Sequence, residues 1–100
     1  MSTAYNNSSA SPMTGTAAAI GEDFILSTGS SRTFFTTTPL SSGENLVLQI
    51  KETNGGTYTT VGELCKLGTT SGVVTARGAG NSTFRVNKSE TGVSVAVFFD

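Results

Sequence analysis

The chain has no histidine, no tryptophan and a single cysteine among its 100 residues, and charged residues make up only 13% of it. Each shortage closes a route. Without an imidazole there is no Ser–His–Asp or Cys–His machinery. One thiol has no partner for an intrachain disulfide. One thiol and no imidazole do not fill a tetrahedral zinc shell. No apolar run approaches the roughly 20 residues that span a bilayer as a helix, which argues against a membrane partner. Six basic residues against seven acidic ones give a formal net charge of -1. Lys51, Lys66, Arg77, Arg85 and Lys88 are scattered, and nucleic-acid binding needs a basic stripe. The start, Met1 to Tyr5, has neither a basic n-region nor an apolar h-region, which predicts synthesis in a cytosol.

What is present is Thr, Ser and Gly in short alternating patterns. One hundred residues make one small domain, which buries only about 60–65% of its unfolded surface and needs support from outside its core. With disulfides and metal excluded, association is the route left open, and a homo-oligomer or larger assembly is expected.

Residues 1–19 are low in complexity, with Tyr5, Pro12 and Met13 as the residues able to anchor them. So little apolar area predicts an extended N-terminal arm, ordered only by packing on another subunit or across its own domain. Residues 20–100 read as a β-sandwich domain. Val93, Val95, Val97 and Phe99 alternate with Ser94, Ala96 and Phe98, and Leu46, Leu48 and Ile50 alternate with Val47, Gln49 and Lys51. This period of two marks half-buried strands. Asn54-Gly55-Gly56 predicts a tight turn to a returning strand over 57–61. Further hairpins are expected between 24–28 and 32–36 and between 84–87 and 93–99, with another strand over 73–77. Val61, Leu64 and Cys65 sit at helical spacing, but Gly62 and the short length argue against a helix. The fold class is therefore all-β: a small antiparallel sandwich of about seven strands carrying an extended N-terminal arm. Outward positions hold Thr and Ser with few charged gatekeepers, so strand edges are open to pairing.

Candidate chemistry is sparse, and no catalytic, cofactor or metal site is assigned. Lys88-Ser89 falls in a predicted solvated turn. Glu22 and Asp23 are chain neighbours whose side chains diverge, unlike the facing carboxylates of glycosidases. With Gly21 they supply too few oxygens for calcium. Gly78-Ala79-Gly80 lacks the following helix a phosphate loop needs, and reads as a turn or bulge. Sequons at Asn6, Asn7, Asn81 and Asn87 are chance matches in a Ser/Thr-rich chain without a secretory leader. Cys65 reads as a small buried hydrophobe. Phe34-Phe35 and Phe98-Phe99 put aromatics on both faces of their strands. Phe35 and Phe98 are assigned to the outer face, and with Tyr5, Pro12 and Met13 they form the expected protein interface.

The C-terminal stretch Gly80-Asn81-Ser82-Thr83-Phe84-Arg85-Val86-Asn87-Lys88, a turn, then Gly92-Val93-Ser94-Val95-Ala96-Val97-Phe98 resembles the ending of small virion proteins of tailed bacteriophages. There an aromatic-Arg-Val strand precedes a turn and a Gly-Val-x-Val strand. Leu48 to Tyr58 is similar to the strand–turn–strand of the same modules, without their Asp at the turn and with Tyr58 where they carry Trp. The resemblance covers about the last 60 residues. It implies a capsid decoration, or cement, protein: a non-enzymatic β-sandwich on the virion, partnered by the major capsid protein or other virion subunits, that clamps capsomer junctions. On that reading residues 1–19 extend over neighbouring subunits, and deleting residues 2–18 leaves the domain folded while weakening shell binding. Two alternatives stay open: a carbohydrate- or receptor-binding module of a tail fibre, and a tail or baseplate adaptor.

Overall fold

Alternation along the chain produces nine short strands among the residues described by a computed structural model, which are 3–51, 56–64, 71–78, 80 and 82–100. They are β1 (Thr3–Ala4), β2 (Ala19–Ile20), β3 (Phe24–Leu26), β4 (Ser31–Pro39), β5 (Leu46–Lys51), β6 (Tyr58–Leu64), β7 (Ser71–Arg77), β8 (Ser82–Lys88) and β9 (Val97–Phe99). Two antiparallel sheets result. One has four strands in the order β1-β9-β4-β7. The other has five, in the order β2-β8-β5-β6, with β3 also paired to β8. This is the all-β sandwich expected from the sequence.

The inner faces supply the core. Phe34 from β4, Leu46 and Leu48 from β5, Val74 and Ala76 from β7, Phe84 and Val86 from β8 and Val97 from β9 are all buried in it. Their spacing of two is the pleat, which sends alternate side chains inward. The Arg32 guanidinium lies 4.7 Å from the Phe99 ring centroid and 5.6 Å from that of Phe24.

The β5–β6 hairpin forms as expected, antiparallel from Leu46↔Leu64 to Lys51↔Tyr58. Its register shifts between Leu48 and Gln49, whose partners are Gly62 and Thr60, and the unmatched Val61 is exposed. Gly56 has a φ of 71°. Residues 52–55, with most of the predicted turn, lie outside the described residues, as do Cys65 and residues 66–67 of the stretch weighed as a helix.

The other two expected hairpins are corrected. β3 belongs to the five-stranded sheet and β4 to the four-stranded one, so the turn at residues 27–30 carries the chain between sheets. Residues 89–96 likewise cross from β8 to β9. Only Val97–Phe99 of the expected strand 93–99 pairs as a strand, and Val93 is exposed, although Val95 and Val97 are buried as the alternation required. A glycine-bearing turn reverses the chain equally well within a sheet or across two. The partner is chosen by which inner face meets the core, information that is not local.

Of the two courses expected for the N-terminal segment, residues 3–19 take the second: they lie across their own domain and add β1 and β2 to its sheets, so that the expected boundary at residue 19 falls inside β2. The Cα radius of gyration is 12.9 Å, against about 13 Å for a compact 100-residue domain. β1 pairs with β9 through Thr3↔Phe99 and Ala4↔Phe98. The chain then runs along one side of the sandwich, bonding to both sheets. Tyr5 N donates to Val97 O at 2.9 Å, and Val97 N to Met13 O at 3.0 Å. Ser8 N donates to Ile20 O at 2.8 Å, Val95 N to Gly15 O at 3.0 Å and Thr91 N to Thr16 O at 2.9 Å. A tight turn at residues 7–11 closes on the Asn7 side chain, whose Oδ1 accepts from Ser9 N and Ser11 N, and holds Ala10 at a φ of 62°. The composition argument considered side-chain area alone. Main-chain hydrogen bonds to two sheets are independent of side-chain hydropathy, and they order this segment together with two deeply buried anchors.

Tyr5 is the more consequential anchor. β2 and β3 lie along the same side of β8 but are interrupted at residues 21–23. The Tyr5 hydroxyl fills the break: it accepts from Val86 N at 3.1 Å and donates to Glu22 O at 2.6 Å. A Cβ on Gly21 would overlap both Val86 O and the Tyr5 ring and hydroxyl, so this position requires glycine.

Candidate interaction surfaces

The polar loops do structural work. Gly78 N donates to Ser30 O at 2.8 Å and Gly80 N to Thr28 Oγ1 at 2.7 Å. A Cβ on Gly78 would run into the Ser27 carbonyl. Gly78 and Gly80 thus hold their loop closely against the turn at residues 27–30. Glu44 accepts from Ser41 N at 2.9 Å and Gly92 N at 2.8 Å, and those two N–H groups hold its carboxyl below the ordinary range. Among the described residues no group of three or more His, Cys, Asp or Glu side chains is placed to hold a metal ion.

Lys88 corrects the expectation of a solvated turn. It ends β8 with 2% of its surface exposed, and its Nζ donates to Ala17 O at 2.9 Å and Ser89 O at 3.2 Å. Burial pulls its pKa down, partly offset by the Glu44 and Glu90 carboxylates.

The five expected interface residues separate into three groups. Tyr5 and Met13 are 2% and 1% exposed and belong to the core of their own domain, which removes them from reach of a neighbour. Burial also pushes the Tyr5 phenol up to about 12, opposed by its hydrogen bond from Val86 and assisted by the nearby Glu22 and Asp23. Pro12 is exposed, bridged to Asn6 at the base of the residue 7–11 turn. Phe35 and Phe98 are brought together on the outer face of the four-stranded sheet, directly opposite one another with ring centroids 6.0 Å apart.

That pair extends into a stripe. The registers align Ala4 with Phe98, Phe98 with Phe35, and Phe35 with Val73, so one apolar row crosses all four strands. Three strand spacings make it about 14 Å long. Thr33 and Thr75, whose hydroxyls lie 3.1 Å apart, form the next row. Asp100, which exchanges main-chain hydrogen bonds with Thr33, joins that row beyond β9, and Arg77, opposite Ser31, carries the opposite charge one row further on.

The outer face of the five-stranded sheet is different. Tyr58, Gln49, Arg85 and Asn87 occupy outward positions on β6, β5 and β8. The Arg85 guanidinium carbon sits 3.5 Å from the Tyr58 ring centroid. The Tyr58 hydroxyl donates to Asp23 Oδ1 at 2.5 Å. Arg85 Nε and Asn87 Nδ2 both donate to Gln49 Oε1, at 2.7 and 3.0 Å. Gly21 N donates to Asn87 Oδ1 at 3.2 Å. The hydrogen bond to Asp23 is the main reason that the Tyr58 phenol lies above its ordinary value. Sequence reasoning missed this constellation because Asp23, Tyr58 and Arg85 are far apart in the chain and meet only through the strand order. Outward parity of Gln49, Arg85 and Asn87 was the available signal.

No family model, curated protein or solved structure matches this chain.

Proposed function

We propose that this chain is a non-enzymatic virion structural protein, a capsid decoration protein that binds the outer shell of a tailed bacteriophage at capsomer junctions. The stripe Ala4–Phe98–Phe35–Val73 is the observation that carries the reading. Sheet faces turned to water usually alternate to polar residues, and a register-aligned apolar row without charge is a surface built to be covered. The proposed contact is a sheet face and not an arm, because the residues meant to anchor the arm elsewhere are spent in the protein's own core. A stripe about 14 Å long covers much less than the roughly 800 Å² per partner of a stable interface. A single copy then binds weakly, and an oligomer gains by engaging several capsomers at once. A tail or baseplate adaptor would use the same face at another place on the particle.

The test is co-sedimentation of purified protein with shells assembled from the major capsid protein encoded alongside it. Wild type saturates the shells, and a Phe35→Ser/Phe98→Ser variant loses about tenfold or more in apparent affinity while keeping a cooperative urea transition. Full occupancy by the double variant, or no binding by wild type, overturns the reading.

A further inference from the structure

We propose that the outer face of the five-stranded sheet is a saccharide-binding platform centred on Tyr58, recognising a neutral pyranose. It is a site on the opposite side of the sandwich from the apolar stripe and does not depend on it.

Sugar recognition asks for two things at once: an aromatic surface for the C–H face of the ring, and planar polar side chains held in fixed orientation for the vicinal hydroxyls. Both occur here. Among the described residues Tyr58 is the aromatic ring on this outer face, since Phe24 and Phe84 point into the core. Its position is set at two points, by the hydroxyl on Asp23 and by the guanidinium of Arg85 against the ring. Around it stand a carboxylate (Asp23), bonded to its hydroxyl, and two amides (Gln49, Asn87) and a guanidinium (Arg85), these three joined through Gln49 Oε1. Arg85 spends Nε on Gln49, and its terminal N–H groups are the donors of a fork suited to paired oxygens. Ile25 and Ile20, 68% and 49% exposed, flank the polar strip along the β2/β3 edge and offer apolar surface to sugar C–H groups.

Stability does not explain the arrangement. Exposed polar pairs contribute little in water, and fixing several long side chains costs rotamer entropy. Orienting the same groups in advance lowers the cost of ordering them when a ligand arrives. Charge decides the ligand class. Asp23 offsets Arg85, the ring covers the guanidinium, and Lys51, 6.0 Å from the Tyr58 centroid, leaves too small an excess for a phosphate backbone.

The experiment is a ¹⁵N NMR titration of the full chain with maltose, lactose and cellobiose to about 10 mM, the range for a single-ring contact. The expected result is saturable shift change confined to Tyr58, Arg85 Nε and the Gln49 and Asn87 amides for at least one sugar. Tyr58→Ala weakens it by about tenfold or more, with an otherwise unchanged spectrum. Arg85→Gln, which keeps the Tyr58 ring and its hydrogen bond to Asp23 but removes one of its two supports, weakens it less than loss of the ring. No shift change with any of the sugars, shifts elsewhere, or shifts untouched by Tyr58→Ala overturns the proposal. So does a response only to heparin that fades with salt, since that marks simple charge attraction. The Phe35→Ser/Phe98→Ser protein retains sugar binding, so failure of the shell contact and failure of this site are distinguishable.

Discussion

Replacing Tyr5 by phenylalanine deletes one oxygen and keeps the ring among Phe24, Phe34 and Phe99. The oxygen accepts from Val86 N and donates to Glu22 O, standing in for strand pairing where β2 and β3 are interrupted. Without it the Val86 N–H, in a fully buried residue, has lost this acceptor. Orphaning a buried donor costs about 1–3 kcal/mol, out of a total of about 5–15 kcal/mol for such a domain. With a urea m-value of about 1 kcal/mol/M, the midpoint of Tyr5→Phe falls by about 1–3 M at neutral pH. Alkali supplies a second readout. The phenol titrates at about 12 in the folded chain, against an ordinary 10.0. Above pH 10 the unfolded chain releases its proton while the folded chain keeps it. The stabilisation is therefore complete below pH 10 and is lost as pH rises from 10 to 12. A shift of that size corresponds to about 3 kcal/mol in full, of which about 2 kcal/mol is lost by pH 12. Lys88, whose folded pKa is lowered, contributes with the opposite sign, but it is present in both proteins and cancels in the difference. Urea melts of wild type and Tyr5→Phe at pH 7, 10 and 12 should thus show a gap that closes toward the highest pH. Equal midpoints at pH 7, or a gap independent of pH, would refute the role assigned to this hydroxyl.

Deleting residues 2–18 removes Tyr5 and Met13 from the core together with β1. By large-to-small precedent the loss is on the order of 5–10 kcal/mol, enough to consume most of the stability. The truncated chain should show no cooperative urea transition, and a midpoint within about 1 M of wild type would show that the segment is the dispensable arm its composition suggested. Gly78→Ala forces a methyl group into the Ser27 carbonyl, costing about 2 kcal/mol or more. Its thermal midpoint should drop by roughly 10 °C or more, and an unchanged midpoint would mean that the two loops separate freely.

Much of the core was legible in the sequence. Alternation along 46–51 and 93–99 identified β5 and β9 and, for Phe98, the outward face, because the pleat is a local property of the backbone. The lack of histidine and of paired thiols by itself narrows the chemistry open to the chain. Other features required the tertiary structure. Gly29-Ser30 and Glu90-Thr91-Gly92 look like hairpin turns, yet both serve as crossings between sheets. Residues 3–19 look too poor in apolar area to order, yet their backbone bonds to both sheets and their Tyr5 hydroxyl completes a broken strand edge. Lys88 follows the inward parity of Phe84 and Val86, although its charge suggested a solvated turn. Asp23, Tyr58 and Arg85 meet because β6, β5, β8 and β3 share one sheet. Strand character and face follow from neighbours two residues apart, whereas strand partners follow from which arrangement satisfies every buried main-chain group around one core, a condition on the whole chain at once.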